Sequence, residues 1–83
     1  MSYQLIVPTI IETAVSGYVG AIERIYRDKL YRVEFWRHGT LCFKAGSDVV
    51  WEKLPHVIRK DAHAGFEQLI AGLNMAAEAR GAA

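Results

Sequence analysis

Only one cysteine, Cys42, occurs in this chain, so no intrachain disulfide can staple it. A lone cysteine on a strand is usually a small buried hydrophobe rather than a nucleophile. The three histidines, His38, His56 and His63, make neither an H-E-x-x-H nor an H-x-x-x-H spacing, so no metal site and no cofactor are expected. Gly17, Gly20 and Gly39 form no G-x-G-x-x-G or P-loop pattern that could cradle a phosphate. Glu12, Glu23 and Glu34 fall on separate elements and do not suggest a convergent acid–base pair. No catalytic residue is assigned, and the chain reads as a non-enzyme without a small-molecule substrate. Long apolar runs are missing as well: nothing approaches the roughly 20 residues of a membrane helix. No signal peptide is recognised and no membrane partner is expected, so the cytoplasm is the expected compartment. Repeats and low-complexity linkers are also absent. Residues 1–83 form a single expected domain, with an α/β core over 1–58 and a C-terminal helical segment over 59–83.

Apolar residues, in contrast, make up 52% of the 83 positions. A chain this short buries only about 60% of its unfolded surface. Some of that apolar content should meet a second copy or another protein, and a homodimer is expected. The net charge of +1 hides a segregation: residues 1–23 carry −2, residues 24–60 carry +5 and residues 61–83 carry −2. A basic middle between acidic ends suggests one surface for an anion and another for a different partner.

Patterning divides the chain into elements. Residues 3–7 form a short apolar run before Pro8 and read as a strand. Thr9 and Glu12 then make a T-x-x-E capping box. Over residues 10–28, Ile11, Ala14, Val15, Tyr18, Val19, Ala21, Ile22, Ile25 and Tyr26 fill an arc of roughly 160° on a helical wheel. That arc predicts one amphipathic helix throughout the stretch. Residues 30–37 alternate Tyr31/Val33/Phe35 against Arg32/Glu34/Trp36, a half-buried strand. His38-Gly39-Thr40 is the turn, and residues 41–44 return as a second strand. Ser47 or Asp48 caps a short helix that runs to Leu54 and ends at Pro55. A last helix is expected over residues 61–80, weakened by Gly65 and Gly72. The order is β-α-β-β-α-α, an α+β class in which helices cover a hairpin-based sheet.

Three sets of residues are candidates for function. Arg32, Arg37, His38 and Lys44 on the hairpin, with Arg24 and Arg27 on the preceding helix, could reach phosphate oxygens or base edges of DNA. Phe66, Leu69, Ile70 and Leu73 form a stripe at i, i+3, i+4 and i+7, the spacing that fills a hydrophobic groove on a partner protein. Trp36, with Tyr18 and Ile22 from the apolar side of the first helix, is the expected dimer interface.

The stretch from Glu12 to Leu54 resembles the prevent-host-death (Phd/YefM-type) antitoxin family. The resemblance lies in the turn Trp36-Arg37-His38-Gly39-Thr40 and the later segment Asp48-Val49-Val50-Trp51-Glu52-Lys53-Leu54, at a gapless spacing from Gly39 to Leu54. The chain departs from it at Ala14-Val15, where the family carries Ala-Arg, and at Lys44, where an apolar residue is usual. The resemblance implies an antitoxin-like regulator that binds operator DNA as a dimer and holds a toxin through its C-terminal segment. The alternative reading is a phage- or mobile-element-type small protein that inhibits or adapts another protein by direct binding, without DNA.

Overall fold

The computed structural model describes residues 3–81. Five strands, β1 (Gln4–Ile6), β2 (Tyr18–Tyr26), β3 (Lys29–Trp36), β4 (Gly39–Lys44) and β5 (Ser47–Val49), form one sheet in the order β1-β2-β3-β4-β5. Every neighbouring pair is antiparallel. A short helix α1 (Ile10–Ser16) joins β1 to β2, and a long helix α2 (His56–Gly81) follows a single 3-10 turn at Trp51–Lys53. The class is α+β, with one helix laid on one face of an antiparallel meander.

The capping box forms as expected: the Glu12 amide donates to Thr9 Oγ1 at 3.1 Å and the Thr9 amide to Glu12 Oε2 at 3.4 Å. The helix it starts is shorter than the helical wheel implies. Gly17 adopts φ 79° and donates to the Thr13 carbonyl, which ends α1 after two turns. Residues 18–26 then run as the longest strand of the sheet, not as helix. Two-residue turns close the hairpins on either side of β3–β4. Arg27 and Asp28 take φ 52° and 65°, and Ala45 and Gly46 take φ 52° and 85°, the left-handed pairs that match strand twist. The second of these turns starts β5, so Ser47 and Asp48 lie in a strand and cap no helix. Only the 3-10 turn remains of the short helix expected to end at Leu54. Of the helices expected over residues 10–28 and 47–54, the structure therefore keeps only α1 and the single 3-10 turn.

The core lies between the sheet and α2. From the sheet come Ile22, Tyr31, Val33, Phe35 and Cys42, and from the helical side Leu54, Ile58, Ala62 and Leu69. The helix begins at His56, five residues before the expected start, because Pro55 already supplies the carbonyl that accepts from Ile58 and Arg59. It runs antiparallel to β2, with Asp61 at Arg24, Gly65 on Ile22 and Leu69 on Gly20. Burial of Ile58, Ala62 and Leu69 makes the C-terminal helix part of the core. No helix among the described residues is long and apolar enough to cross a membrane.

Candidate functional site

Strand alternation divides the sheet into a face under α2 and a face without a covering helix. In β3 the residues Tyr31, Val33 and Phe35 go under the helix, while Leu30, Arg32, Glu34 and Trp36 point the other way. The register sets their neighbours: Tyr18 opposite Trp36, Glu23 opposite Arg32, and Leu41 opposite Glu34. Arg32 is the centre of this outer face. Its Nε donates to Glu34 Oε2 at 2.7 Å, its Nη1 to Glu23 Oε2 at 2.9 Å and its Nη2 to the Tyr18 hydroxyl at 3.1 Å. Trp36 Nε1 donates to the other Glu34 oxygen at 3.1 Å, and its ring lies 4.9 Å from that of Tyr18 at a tilt of 43°. Five side chains thereby fix one another.

The electrostatics follow from that geometry. The hydrogen bond to Glu34 holds the Arg32 guanidinium above its ordinary value, burial opposing and Glu23 adding to the effect. Burial pushes the Tyr18 phenol up, although the Arg32 charge pulls it down. The network is flanked by apolar groups that nothing covers: Ile25 is 71% exposed, Leu41 52% and Leu30 46%. Leu30 and Phe43 join Glu23, Arg32, Glu34 and Gly46 around a hollow of about 210 Å³.

The six residues assigned to DNA do not share a surface. Arg24 points under the helix and is paired with Asp61 at 2.5 Å. Arg32 is occupied by two carboxylates. Arg27 sits in the β2–β3 turn with its guanidinium 5.4 Å from the Tyr26 ring centre, and Lys44 lies at the same end, 5.9 Å from the ring of Tyr31. Arg37 and His38 occupy the turn at the far end of β3, where Arg37 donates to the Thr13 carbonyl at 3.4 Å. The two ends are on the order of 20 Å apart along β3.

Two other expectations change with the fold. Ile22 is fully buried in the chain's own core, because residues 18–26 form a central strand whose even-numbered positions face α2 from Gly20 onward, past the register shift after Tyr18; it cannot belong to a dimer interface. Tyr18 and Trp36, from the same set, do lie on the outer face. Of the groove-filling stripe, Leu69 is only 4% exposed, and Ile70 and Leu73 are half-buried. Phe66 alone is open, at 42%, with its ring 5.2 Å from Phe35. The stripe is therefore mainly the inner face of α2. In contrast α1 buries none of its residues and leaves Ile11 and Val15 exposed.

Glu23 and Glu34 are the site residues that sequence reasoning missed. The signal for Glu34 was its place between Arg32 and Trp36 on one strand face; Glu23 became visible only with β2 as a strand. Cys42 is buried, and burial, with a smaller contribution from Glu52, raises its thiol above the ordinary value, which is the behaviour of an inert side chain. Among the described residues no group of three His, Cys, Asp or Glu side chains could hold a metal ion. Comparison with protein-family models, with curated proteins and with solved structures finds no match for this chain.

Proposed function

We propose that this chain is a small protein-binding module that inhibits or adapts a partner protein, with the outer face of its sheet as the recognition surface. The observation that carries this reading is the locked group Tyr18, Arg32 and Trp36 on a face without a covering layer. Tyr, Trp and Arg are the residues that dominate binding energy at interfaces. Here their rotamers are already fixed by one another, so little side-chain entropy is lost on docking. Arg32 is neutralised by Glu23 and Glu34 before any partner arrives, which removes much of the penalty for burying its charge. The exposed Ile25, Leu30 and Leu41 supply apolar area beside these anchors, and α1 adds Ile11 and Val15. A second copy of the chain is one partner such a face would accept, in keeping with the expected homodimer.

Operator binding in the antitoxin manner draws less support, because Arg24 and Arg32 are held by carboxylates and the remaining cations divide between two ends of the sheet. The test is affinity capture from the native host with the wild-type chain beside Trp36→Ser and Arg32→Ala. A protein retained by the wild type and lost with both variants is the expected result. Mobility shifts on its upstream DNA whose salt dependence flattens in Arg37→Ala, with no protein captured, would return the assignment to the antitoxin-like reading.

A further inference from the structure

The helical side of the molecule carries a second constellation, separate from the outer face. The first two turns of α2 place His56, Arg59, Lys60 and His63 at i, i+3, i+4 and i+7, one continuous stripe of the helix. None of these four side chains makes an ion pair or a side-chain hydrogen bond among the described residues; the ion pairs there belong to Arg24 and Arg32. Asp61, the acid within this segment, is held by Arg24 above β2. The stripe and Trp51 together line a hollow of about 330 Å³. Arg59, one of its walls, has a buried Nε that donates to nothing among the described residues. A buried donor with no acceptor points to an acceptor that arrives from outside.

Trp51 and His63 are also walls of an adjoining apolar cleft of about 430 Å³, completed by Phe35, Thr40, Ala62 and Phe66. The imidazole of His63 stands edge-on to the Trp51 ring at 5.5 Å, at an interplanar angle of 82°. Neither Glu52 nor Glu67 lines either hollow. An aromatic-walled cleft of this size beside convergent cations has the composition of a small-ligand site. The charge fixes the sign of the ligand, and the Phe35, Trp51 and Phe66 rings fix its body as flat and apolar.

We infer that this composite cleft binds a small organic anion with a flat apolar body, in the manner of an arenecarboxylate. The rings lie between Trp51 and Phe66, and the carboxylate accepts from Arg59 and Lys60. The test is a ¹H–¹⁵N correlation titration of the full chain with 2-naphthoate, in parallel with neutral 2-naphthamide. The expected result is saturable shifts of the Trp51 indole N–H and of the amides over residues 56–66 with 2-naphthoate, while the Trp36 indole stays still. The amide should bind about tenfold more weakly, the loss of one charge-assisted hydrogen bond. Arg59→Gln should weaken 2-naphthoate by a similar factor and leave 2-naphthamide unchanged, the same spectra reporting whether the variant is folded. Lys60→Gln tests the same direction if Arg59→Gln disturbs the start of α2. Equal affinities for the two compounds, shifts centred on Trp36, or no saturation at millimolar concentration would overturn the inference. So would an acidic peptide with an aromatic residue that displaces 2-naphthoate and binds more tightly, since the site would then belong to a protein ligand. Because the readout is local to Trp51, its failure leaves the outer-face reading intact.

Discussion

Two glycines of α2 should respond in opposite directions to the same substitution. In a helix interior, Gly→Ala gains about 1 kcal/mol from the reduced entropy of the unfolded chain and better helix propensity. At Gly72 a new Cβ meets nothing within 4 Å, so Gly72→Ala should realise that gain in full. For a domain of this size that raises the melting temperature by roughly 4–8 °C. At Gly65 the same methyl would overlap Cγ2 of Ile22 and come within 3.6 Å of Leu5. Ile22 is β-branched and fully buried, so it has no free rotamer to escape into. Relief requires α2 to lift off β2, which loosens Ala62 and Leu69 on either side; overpacking of this kind costs about 1–3 kcal/mol. The net for Gly65→Ala is a loss of about 1 kcal/mol, and the two variants should differ by about 2 kcal/mol. Seven helical residues separate the sites by roughly 10 Å, so the double variant should be additive. Urea unfolding followed by far-UV circular dichroism, with equal m-values, measures all three. Equal stabilisation by both substitutions would show that α2 does not seat on β2 at Gly65 and would refute the packing described above.

Truncation provides a second check. A chain ending after Asn74 should keep one cooperative thermal transition, because Ala76 is the only half-buried side chain in 75–78, whereas ending after Lys60 removes Ala62 and Leu69 from the core and should abolish it. Arg32→Met should destabilise by about 1 kcal/mol, since it leaves Glu23 and Glu34 on neighbouring strands without their shared cation. A double-mutant cycle with Glu34→Gln should then show coupling, and strict additivity would argue against the network. Cys42 should react with a thiol reagent such as Ellman's only as the chain unfolds. Because burial raises the Cys42 thiol in the fold, the unfolded chain loses that proton first. Stability is therefore full below the ordinary thiol range and falls as pH rises through the raised native value, with Tyr18 adding in the same direction. Urea midpoints at about pH 7 and pH 10 should show the decline, and a flat profile would contradict it.

Residues 10–28 show why one part of the fold was legible and another was not. The capping box at Thr9 and Glu12 is local chemistry, and it forms where the sequence places it. The strand that follows was hidden because both of its faces break the binary rule. Arg24 sits on the helix-facing side, where an apolar residue would be expected, and is tolerated because Asp61 comes from 37 residues away to neutralise it. On the other side, Ala21 is buried and Ile25 is exposed although both are apolar. A period-two signal fails under those conditions, and a helical wheel collects the scattered apolar residues into an arc by accident. The glycines held the better clue. Gly17 reads as a cost inside a long helix, but its φ of 79° is a terminator. A Cβ on Gly20 would lie 2.6 Å from Leu69 and 2.7 Å from the Ile6 carbonyl, so only glycine lets β1 and α2 close on that strand. By contrast, β3 was legible because its alternation is strict, and the faces it implied are the faces it has.

The candidate site inherits this division. Arg32 and Trp36 were visible as residue types beside one turn, and Tyr18 as a large aromatic on the apolar side of the expected first helix. Their role was not visible, because it depends on what Arg32 faces across the strand. With residues 18–26 helical, Arg32 has no acid opposite and reads as a free cation for phosphate. As a strand paired in this register, the same segment sets Glu23 directly opposite Arg32, and the arginine becomes the centre of a neutralised network. One secondary-structure assignment therefore decides whether Arg32 is a free cation or an internally paired one. It also redistributes the segregated charge: Arg24 and Arg32 are consumed internally, and Arg59 and Lys60 of α2, which the sequence counts in the basic middle without assigning them a site, form a stripe in which Arg59 Nε lacks an acceptor among the described residues. Net charge over a segment predicts a binding surface only after the intramolecular pairs have been subtracted, and those pairs are set by strand register and helix placement rather than by sequence proximity.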